Sequence, residues 1–219
     1  MENYDRKESI DLYSFLSDPD AKQAFAPIDY SIKNGVHIQR WSKQELLFRF
    51  IEKHYVKIKA YYLDFFGVSL EYAGEAMGKY YYPDFPPDSR GEIPVENRHF
   101  ISNESVIVGF LLYKIIFIDG YVELDSIPTL QRMIRQDYED LKPGIYRALA
   151  RARKLNSTEI DDQKVDAAVE RALREFAKIG WIDLDDQRFE PLPSFQRLPK
   201  LYGDYINNPN LWQKDDPQS

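Results

Sequence analysis

The sequence contains no cysteine, so it offers no disulfide framework, no thiolate metal site and no cysteine nucleophile. It also lacks a membrane-spanning segment. The most apolar run, 106–118, contains Lys114 and falls short of the roughly 20 apolar residues that a spanning helix needs. The acidic, polar first five residues are unlike a signal peptide. We therefore expect a soluble, cytoplasmic protein in which 106–118 is a buried core helix.

Motifs for nucleotide chemistry and acyl transfer are also missing. Gly74 and Gly78 are four residues apart, but no Lys-Ser or Lys-Thr pair follows them, so they do not form a phosphate-binding loop. There is no Gly-x-Ser-x-Gly nucleophile elbow. These absences leave an enzyme with dispersed catalytic residues as an open alternative, although no residue points to one.

Histidines and paired carboxylates do not suggest a site either. The three histidines, His37, His54 and His99, are too far apart for a metal-ligand spacing. Adjacent aspartates occur at 161–162, 185–186 and 215–216, in predicted turns or in the tail. Aspartates in such places usually cap a helix or remain solvated. We predict no catalytic residue, no metal and no cofactor.

Positive charge is scarce and locally concentrated. Lys and Arg number 29 against 36 Asp and Glu, which gives a net charge of −7. Such a chain can approach nucleic acid only through a local basic patch. Residues 141–155 contain five cations and no acid. The predicted DNA-binding residues are these five and one that follows shortly after: Lys142, Arg147, Arg151, Arg153, Lys154 and Lys164. The alternative is a solvated face, or one paired with the acidic run Glu159, Asp161 and Asp162.

Helical and strand periodicities divide the chain into two similar halves. The first half has a helix over 21–36 that ends at Asn34-Gly35, a long helix over 43–66 that ends at Gly67, and strands over 68–72 and 79–85. The second half has helices over 104–118, 127–139, 141–155 and 163–179, a short strand over 121–124 and a hairpin over 181–190.

This order predicts a mainly α fold with small β-hairpins, in the α+β class, built from tandem winged-helix domains. The predicted boundaries are an N-terminal arm over 1–20, a first winged helix over 21–82, a linker over 83–101, a second winged helix over 102–200 and a tail over 201–219. Helix 163–179 stands in the recognition-helix position. Its cations alternate with Asp166, Glu170 and Glu175, so we expect packing or backbone contact rather than deep insertion into a groove.

Four aromatic residues near the end of the first half are candidates for partner binding: Tyr80, Tyr81, Tyr82 and Phe85. Strand alternation places Tyr81 on the face opposite Tyr80 and Tyr82. One face should lie against the core, and the other could contact a partner, because tyrosine is favoured in interfaces. A strand buried on both faces is the alternative.

Two long stretches resemble a known family. The first contains AFAPIDYSIKNGVHI (24–38) and RFIEKHYVKIKAYYLDFFGVSLEYAGEAMGKYYYP (49–83), and the second contains ESVIVGFLLYKIIFIDG (104–120) and ARARKLNSTEIDDQKVDAAVERALREFAKIGWIDL (150–184). Their order and spacing resemble the MukE and MksE family, the accessory subunits of bacterial MukBEF-type condensins. Only a short acidic tail follows Tyr205, which favours the MksE branch.

The resemblance implies tandem winged helices that bind a kleisin subunit and form a homodimer mainly through the N-terminal domain. It also implies a complex with an SMC-like ATPase that entraps DNA without sequence specificity, in chromosome organisation and segregation. The related subunit of plasmid-defence Wadjet complexes is an alternative, as is a free-standing winged-helix regulator or replication initiator. The family has no catalytic residues to transfer to this chain.

Overall fold

A computed structural model describes residues 13–41, 43–85, 91–93, 101–138 and 142–207. The chain forms two compact units, Met1–His99 and Phe100–Ser219. It is mostly helical with small antiparallel sheets, which confirms the α+β class. None of the helices in the described ranges is long and apolar enough to cross a membrane. The winged-helix character of each unit and the residue-level domain boundaries remain predictions.

Two helices form the frame of the first unit. Helix α1 spans Ala21–Lys33, and α2 spans Glu45–Phe66. The predicted stops are confirmed: Gly35 follows α1 with φ +75°, and Gly67 ends α2 in the left-handed conformation with φ +61°, which glycine adopts without steric cost. At His54 the backbone of α2 leaves helical geometry, with φ −117° and ψ 19°, so this helix is kinked.

A three-stranded antiparallel sheet completes the first unit. Strands β2 (Ser69–Ala73) and β3 (Tyr80–Asp84) form the predicted hairpin, with Tyr72 opposite Tyr81. Strand β1 (Ile38–Gln39) pairs with the other edge of β3. The sequence did not indicate β1, because two residues are too few to show alternation. Strand β3 also includes the first two residues of the predicted linker.

The core of the first unit extends beyond the predicted winged helix at both ends. A 3-10 turn over Ser14–Ser17 carries the fully buried Phe15 into this core, inside the segment predicted as an arm. Farther along the chain, Ile93 is 2% exposed, and the Glu92 N–H donates to the Phe66 carbonyl over 2.8 Å. The remaining linker residues, 86–90 and 94–100, lie outside the described ranges.

The described part of the second unit contains five α-helices. They are α3 (Asn103–Tyr113), α4 (Ile127–Gln136), α5 (Lys142–Arg153), α6 (Asp162–Lys178) and α7 (Arg197–Asn207). Helix α3 continues as a π-helix over Lys114–Ile118, and its largely buried side chains confirm the predicted core helix. Helix α7 extends into the segment predicted as the tail.

Side-chain caps fix the starts of these helices. The Ser102 hydroxyl accepts from the Ser105 N–H over 3.2 Å, and Ser126 and Asp161 cap α4 and α6 in the same way. Gly109 lies where α3 packs closely: a Cβ built there would be 2.9 Å from the Phe176 ring on α6. The second core therefore forms around α3 and α6, with Trp181 stacked on Phe176 at 5.7 Å between ring centroids.

Strands β4 (Ile182–Asp185) and β5 (Arg188–Pro191) form the predicted second hairpin. The strand predicted over 121–124 is wrong. The Leu124 N–H donates to the Tyr121 carbonyl over 3.0 Å, and these residues form a turn. Pairing with β5 begins after this turn, where Ser126 forms an isolated bridge with Arg188 and the Phe189 N–H donates to the Asp125 carbonyl over 2.8 Å. Gly120, with φ +84°, redirects the chain after the π-helix, and residues 121–124 form no strand pairing with the hairpin.

Candidate nucleic-acid and partner interfaces

Three cations of the predicted DNA-binding set lie together on the exposed side of α5. Arg147 and Arg151 are one helical turn apart, and Lys154 follows where the helix ends. We call these three residues the α5 strip. All three are exposed, and within the described ranges none of their side chains forms an ion pair or hydrogen bond. The i, i+4 spacing places Arg147 and Arg151 on one face of α5, and Lys154 follows in the left-handed turn that ends the helix, with φ +55°. All three are available to an anionic partner.

The other three predicted cations are bound within the unit. Lys142 Nζ is 2.9 Å from Asp162 Oδ1, and this hydrogen bond raises the pKa of Lys142. The Lys164 ammonium donates to the Glu159 carbonyl. The structure thus places half of the predicted set in internal contacts, in part with the acidic run that the sequence offered as the alternative.

Arg153 is the most firmly held of these cations. Its Nε and Nη2 atoms donate to the two carboxylate oxygens of Glu104 over 2.8 and 2.7 Å. Glu104 is only 6% exposed and also accepts from Arg171 over 3.2 Å. The pair raises the pKa of Arg153 through the hydrogen bond to Glu104. One carboxylate thereby joins α3, α5 and α6.

Helix α6 uses its apolar side for the core. Its buried residues are Val165, Ala168, Val169, Ala172, Leu173 and Phe176. On its polar side, Arg171 pairs with Glu104 and Arg174 Nη2 lies 3.0 Å from Glu170 Oε2. These internal pairs agree with the expectation that the helix packs rather than inserts into a groove.

The aromatic strand is buried on both faces at its start. Tyr80 and Tyr81 are 2% and 1% exposed, and the Tyr81 ring lies 5.3 Å from Phe48. Burial raises the pKa of Tyr81. Tyr82 and Phe85 are partly exposed. Of the four candidates for partner binding, only these two therefore present surface.

Sequence patterns missed an apolar surface on α2. Val56 and Leu63 are 74% and 53% exposed, with the half-buried Ala60 between them. These three residues, which we call the α2 patch, lie on one face because they are spaced i, i+4, i+7. Phe65, near the end of the same helix, is also 55% exposed. The hydrophobic periodicity of one sequence does not distinguish a helix face that packs in the core from one that is exposed to solvent.

The described residues contain no group of three or more His, Asp or Glu side chains that could hold a metal ion. His54 Nε2 is 2.8 Å from Asp18 Oδ2, and the His37 ring stacks on Tyr82 at 5.8 Å. His99 lies outside the described ranges. The two histidines that can be located therefore serve internal contacts.

The model of the family described as "Condensin complex protein MksE" matches residues 23–202, most of the 219-residue chain. A comparison with individual curated proteins gave no match. The family match spans both structural units and both stretches that resembled MukE and MksE. The chain therefore belongs to the MksE family of condensin complex proteins.

Proposed function

We propose that this chain is a non-catalytic accessory subunit of an SMC-like condensin, in which it binds the kleisin and contributes to DNA entrapment. The observation that carries the proposal is the family match, because it covers residues 23–202 and so includes most of the core residues of both units. In this complex, ATP hydrolysis belongs to the SMC-like ATPase. The proposed location is the cytoplasm, at the nucleoid.

The α5 strip is the proposed DNA contact. Arg147 and Arg151 on α5 and Lys154 just after it are exposed, whereas Lys142, Arg153 and Lys164 have internal partners. Cations on one helix face bind phosphates without reading sequence. Three contacts give weak binding that decreases steeply with salt. The complex, rather than the isolated subunit, is therefore the species that retains DNA.

Two surfaces of the first unit are proposed for protein partners. Tyr82 and Phe85 are the exposed part of the aromatic strand, and we assign them to the kleisin. The α2 patch is assigned to a second copy of the chain, because its exposed aliphatic side chains would be covered in a homodimer. Tyr80 and Tyr81 are buried, so they pack β3 against the core and are not assigned to a partner.

Co-purification with the kleisin of the same complex tests this proposal. We expect the two proteins to form a complex at micromolar concentration. Truncating Tyr82 and Phe85 together to alanine should weaken it at least about tenfold, since buried interface aromatics are often binding hot spots. Tyr30→Ala is the matched control, because this tyrosine is 70% exposed on α1 and belongs to neither proposed surface.

Isothermal titration calorimetry provides the affinities, and circular dichroism checks that each variant is folded. No complex at micromolar concentration contradicts the assignment as a kleisin-binding subunit. A complex that tolerates the loss of Tyr82 and Phe85 contradicts only the placement of the interface.

A further inference from the structure

A groove of about 420 Å³ lies between residues 122–125 and the β4–β5 hairpin. Four of its lining residues are apolar: Val122, Leu124, Phe189 and Pro191. Leu124 and Phe189 are 9% and 2% exposed, so they form its floor, whereas Val122 is 73% exposed at its rim. We call this the wing groove. It offers an apolar base on which an aliphatic side chain can be buried.

The remaining lining residues are almost all acidic. They are Glu123, Asp125, Asp183, Asp185, Glu190 and a single cation, Arg188. Arg188 Nη1 is 3.4 Å from Asp125 Oδ2, with both side chains more than half exposed. The only lining cation is thus paired with Asp125, while Glu123, Asp185 and Glu190 present exposed carboxylates around the groove.

This charge excludes nucleic acid as the occupant. A wing that contacts DNA does so through cations that neutralise phosphates, and here the groove would add carboxylate–phosphate repulsion. The exposed cations of the second unit that we assign to DNA lie on α5, and no residue of α5 lines the groove. The hairpin therefore faces a different class of partner from the one that the α5 strip contacts.

Backbone geometry indicates how the occupant is recognised. The Phe189 N–H donates to the Asp125 carbonyl over 2.8 Å, so this edge of β5 is already paired at its start. Pro191, farther along the same edge, has no N–H to donate. A partner peptide is therefore restricted in pairing its backbone with this edge of β5, and its recognition must rest mainly on side-chain contacts. Complementary side chains are aliphatic over the Leu124–Phe189 floor and cationic beside the carboxylates.

We propose that the wing groove binds an extended segment of a partner protein in which aliphatic residues alternate with lysine or arginine. An extended segment fits because alternate side chains point to opposite sides, so that one row reaches the apolar floor while flanking cations reach the rim. This interaction is separate from the DNA contact of the α5 strip and from the kleisin contact of Tyr82 and Phe85.

Fluorescence anisotropy with the full chain and a labelled peptide of alternating lysine and valine tests the proposal. We expect saturable binding that weakens as salt rises. Two comparison peptides, one alternating glutamate with valine and one of lysine with serine, should bind at least about tenfold more weakly. The first reverses the charge, and the second lacks the aliphatic row.

Substitutions locate the binding. Glu123→Gln, Asp185→Asn and Glu190→Gln combined should weaken the lysine–valine peptide about tenfold, as expected for three exposed charge contacts. Val122→Ser should weaken it several-fold without a loss of charge. The matched control combines Asp64→Asn, Glu75→Gln and Asp137→Asn, which removes the same charge from exposed positions outside the groove.

If the triple variant of the groove and the triple control variant weaken peptide binding equally, the peptide is attracted by the net charge of the chain alone, and the proposal is overturned. If Val122→Ser leaves the affinity for the lysine–valine peptide unchanged and the lysine–serine peptide binds equally well, the proposed apolar contact is overturned. Kleisin binding and DNA retention should be unchanged in the groove variants, so failure here is distinguishable from failure of the proposed condensin role.

Discussion

Glu104 holds two guanidinium groups while it is itself nearly inaccessible to solvent. Removing its charge leaves Arg153, whose side chain is 18% exposed, without a counter-ion. Breaking a buried ion pair by removing one partner typically costs about 3–5 kcal/mol. Arg171 is half exposed and can recover water. The cost here should therefore be near the lower end of that range.

We predict that Glu104→Gln lowers the free energy of unfolding by about 3 kcal/mol. Urea denaturation followed by far-ultraviolet circular dichroism measures this loss. The control is Glu170→Gln, which removes an exposed i,i+4 pair with Arg174 and should cost less than about 0.5 kcal/mol. Equal losses in the two variants would show that the Glu104 contacts are ordinary surface pairs.

Asp18 is the corresponding carboxylate of the first unit. Its Oδ2 atom is 2.6 Å from Lys53 Nζ and 2.8 Å from His54 Nε2, and the Asp20 N–H donates to Oδ1 over 2.9 Å. The hydrogen bond from Lys53 contributes most, followed by those from Asp20 and His54, and together they hold the pKa of Asp18 well below its ordinary value of 3.8. These contacts tie the residue after the 3-10 turn to the kinked part of α2.

Because the folded state lowers this pKa, Asp18 stabilises the fold above the ordinary value of 3.8. That stabilisation is lost as the pH falls below it. We predict that the thermal midpoint of the unchanged protein exceeds that of Asp18→Asn at neutral pH. The difference between the two thermal midpoints should decrease as the pH falls from about 4 to about 2. Differential scanning calorimetry across this range measures it, with Asp64→Asn as an exposed control; a gap that does not vary with pH would contradict the prediction.

Among the elements, α5 separates two uses of positive charge. One side directs Lys142 and Arg153 to acidic partners within the unit. The other presents the α5 strip, which has no partner among the described residues. The helix can therefore lose the strip without losing the ion pairs that dock it.

We predict that Arg147→Glu, Arg151→Glu and Lys154→Glu combined abolish DNA retention by the assembled complex at moderate salt. Removing three phosphate contacts should also reduce the slope of log affinity against log salt by about 3. A filter-binding titration at several salt concentrations measures both. Unchanged retention with an unchanged slope would rule out the strip as the DNA contact.

The control for this element is Lys22→Glu, Lys178→Glu and Lys200→Glu combined, because these three lysines are exposed and lie outside the strip. It makes the same change in net charge. If it reduces retention as strongly, the effect belongs to the charge of the whole chain and not to α5.

For the molecule as a whole, a net charge of −7 opposes approach to DNA. The cations that we assign to DNA lie in one short segment, the α5 strip, and the wing groove adds several carboxylates to the surface of the same unit. This charge distribution agrees with the proposal that protein partners bring the subunit to DNA. The proposed kleisin contact is therefore the primary interaction, and the α5 strip acts within the complex that it creates.

Local signals along the chain were sufficient for most of the architecture. Gly35 and Gly67 end their helices, Ser102 and Ser126 cap theirs, and both hairpins form where alternation and turns predicted them. These features depend on neighbouring residues, so a single sequence contains them. Strand β1 was missed because it depends on pairing with the distant strand β3. The segment 121–124 was wrongly assigned because four residues are too few to distinguish strand alternation from a turn.

The sequence by itself determined the family, the helix-rich fold class and the existence of one basic segment, because those follow from composition, periodicity and the order of elements. Only the tertiary structure decided which of the six cations are available, since Arg153 meets a carboxylate 49 positions away in the chain. It also buried Tyr80 and Tyr81 while leaving Val56 and Leu63 exposed. Charge pairing and burial are set by contacts between distant residues, and no local pattern specifies them.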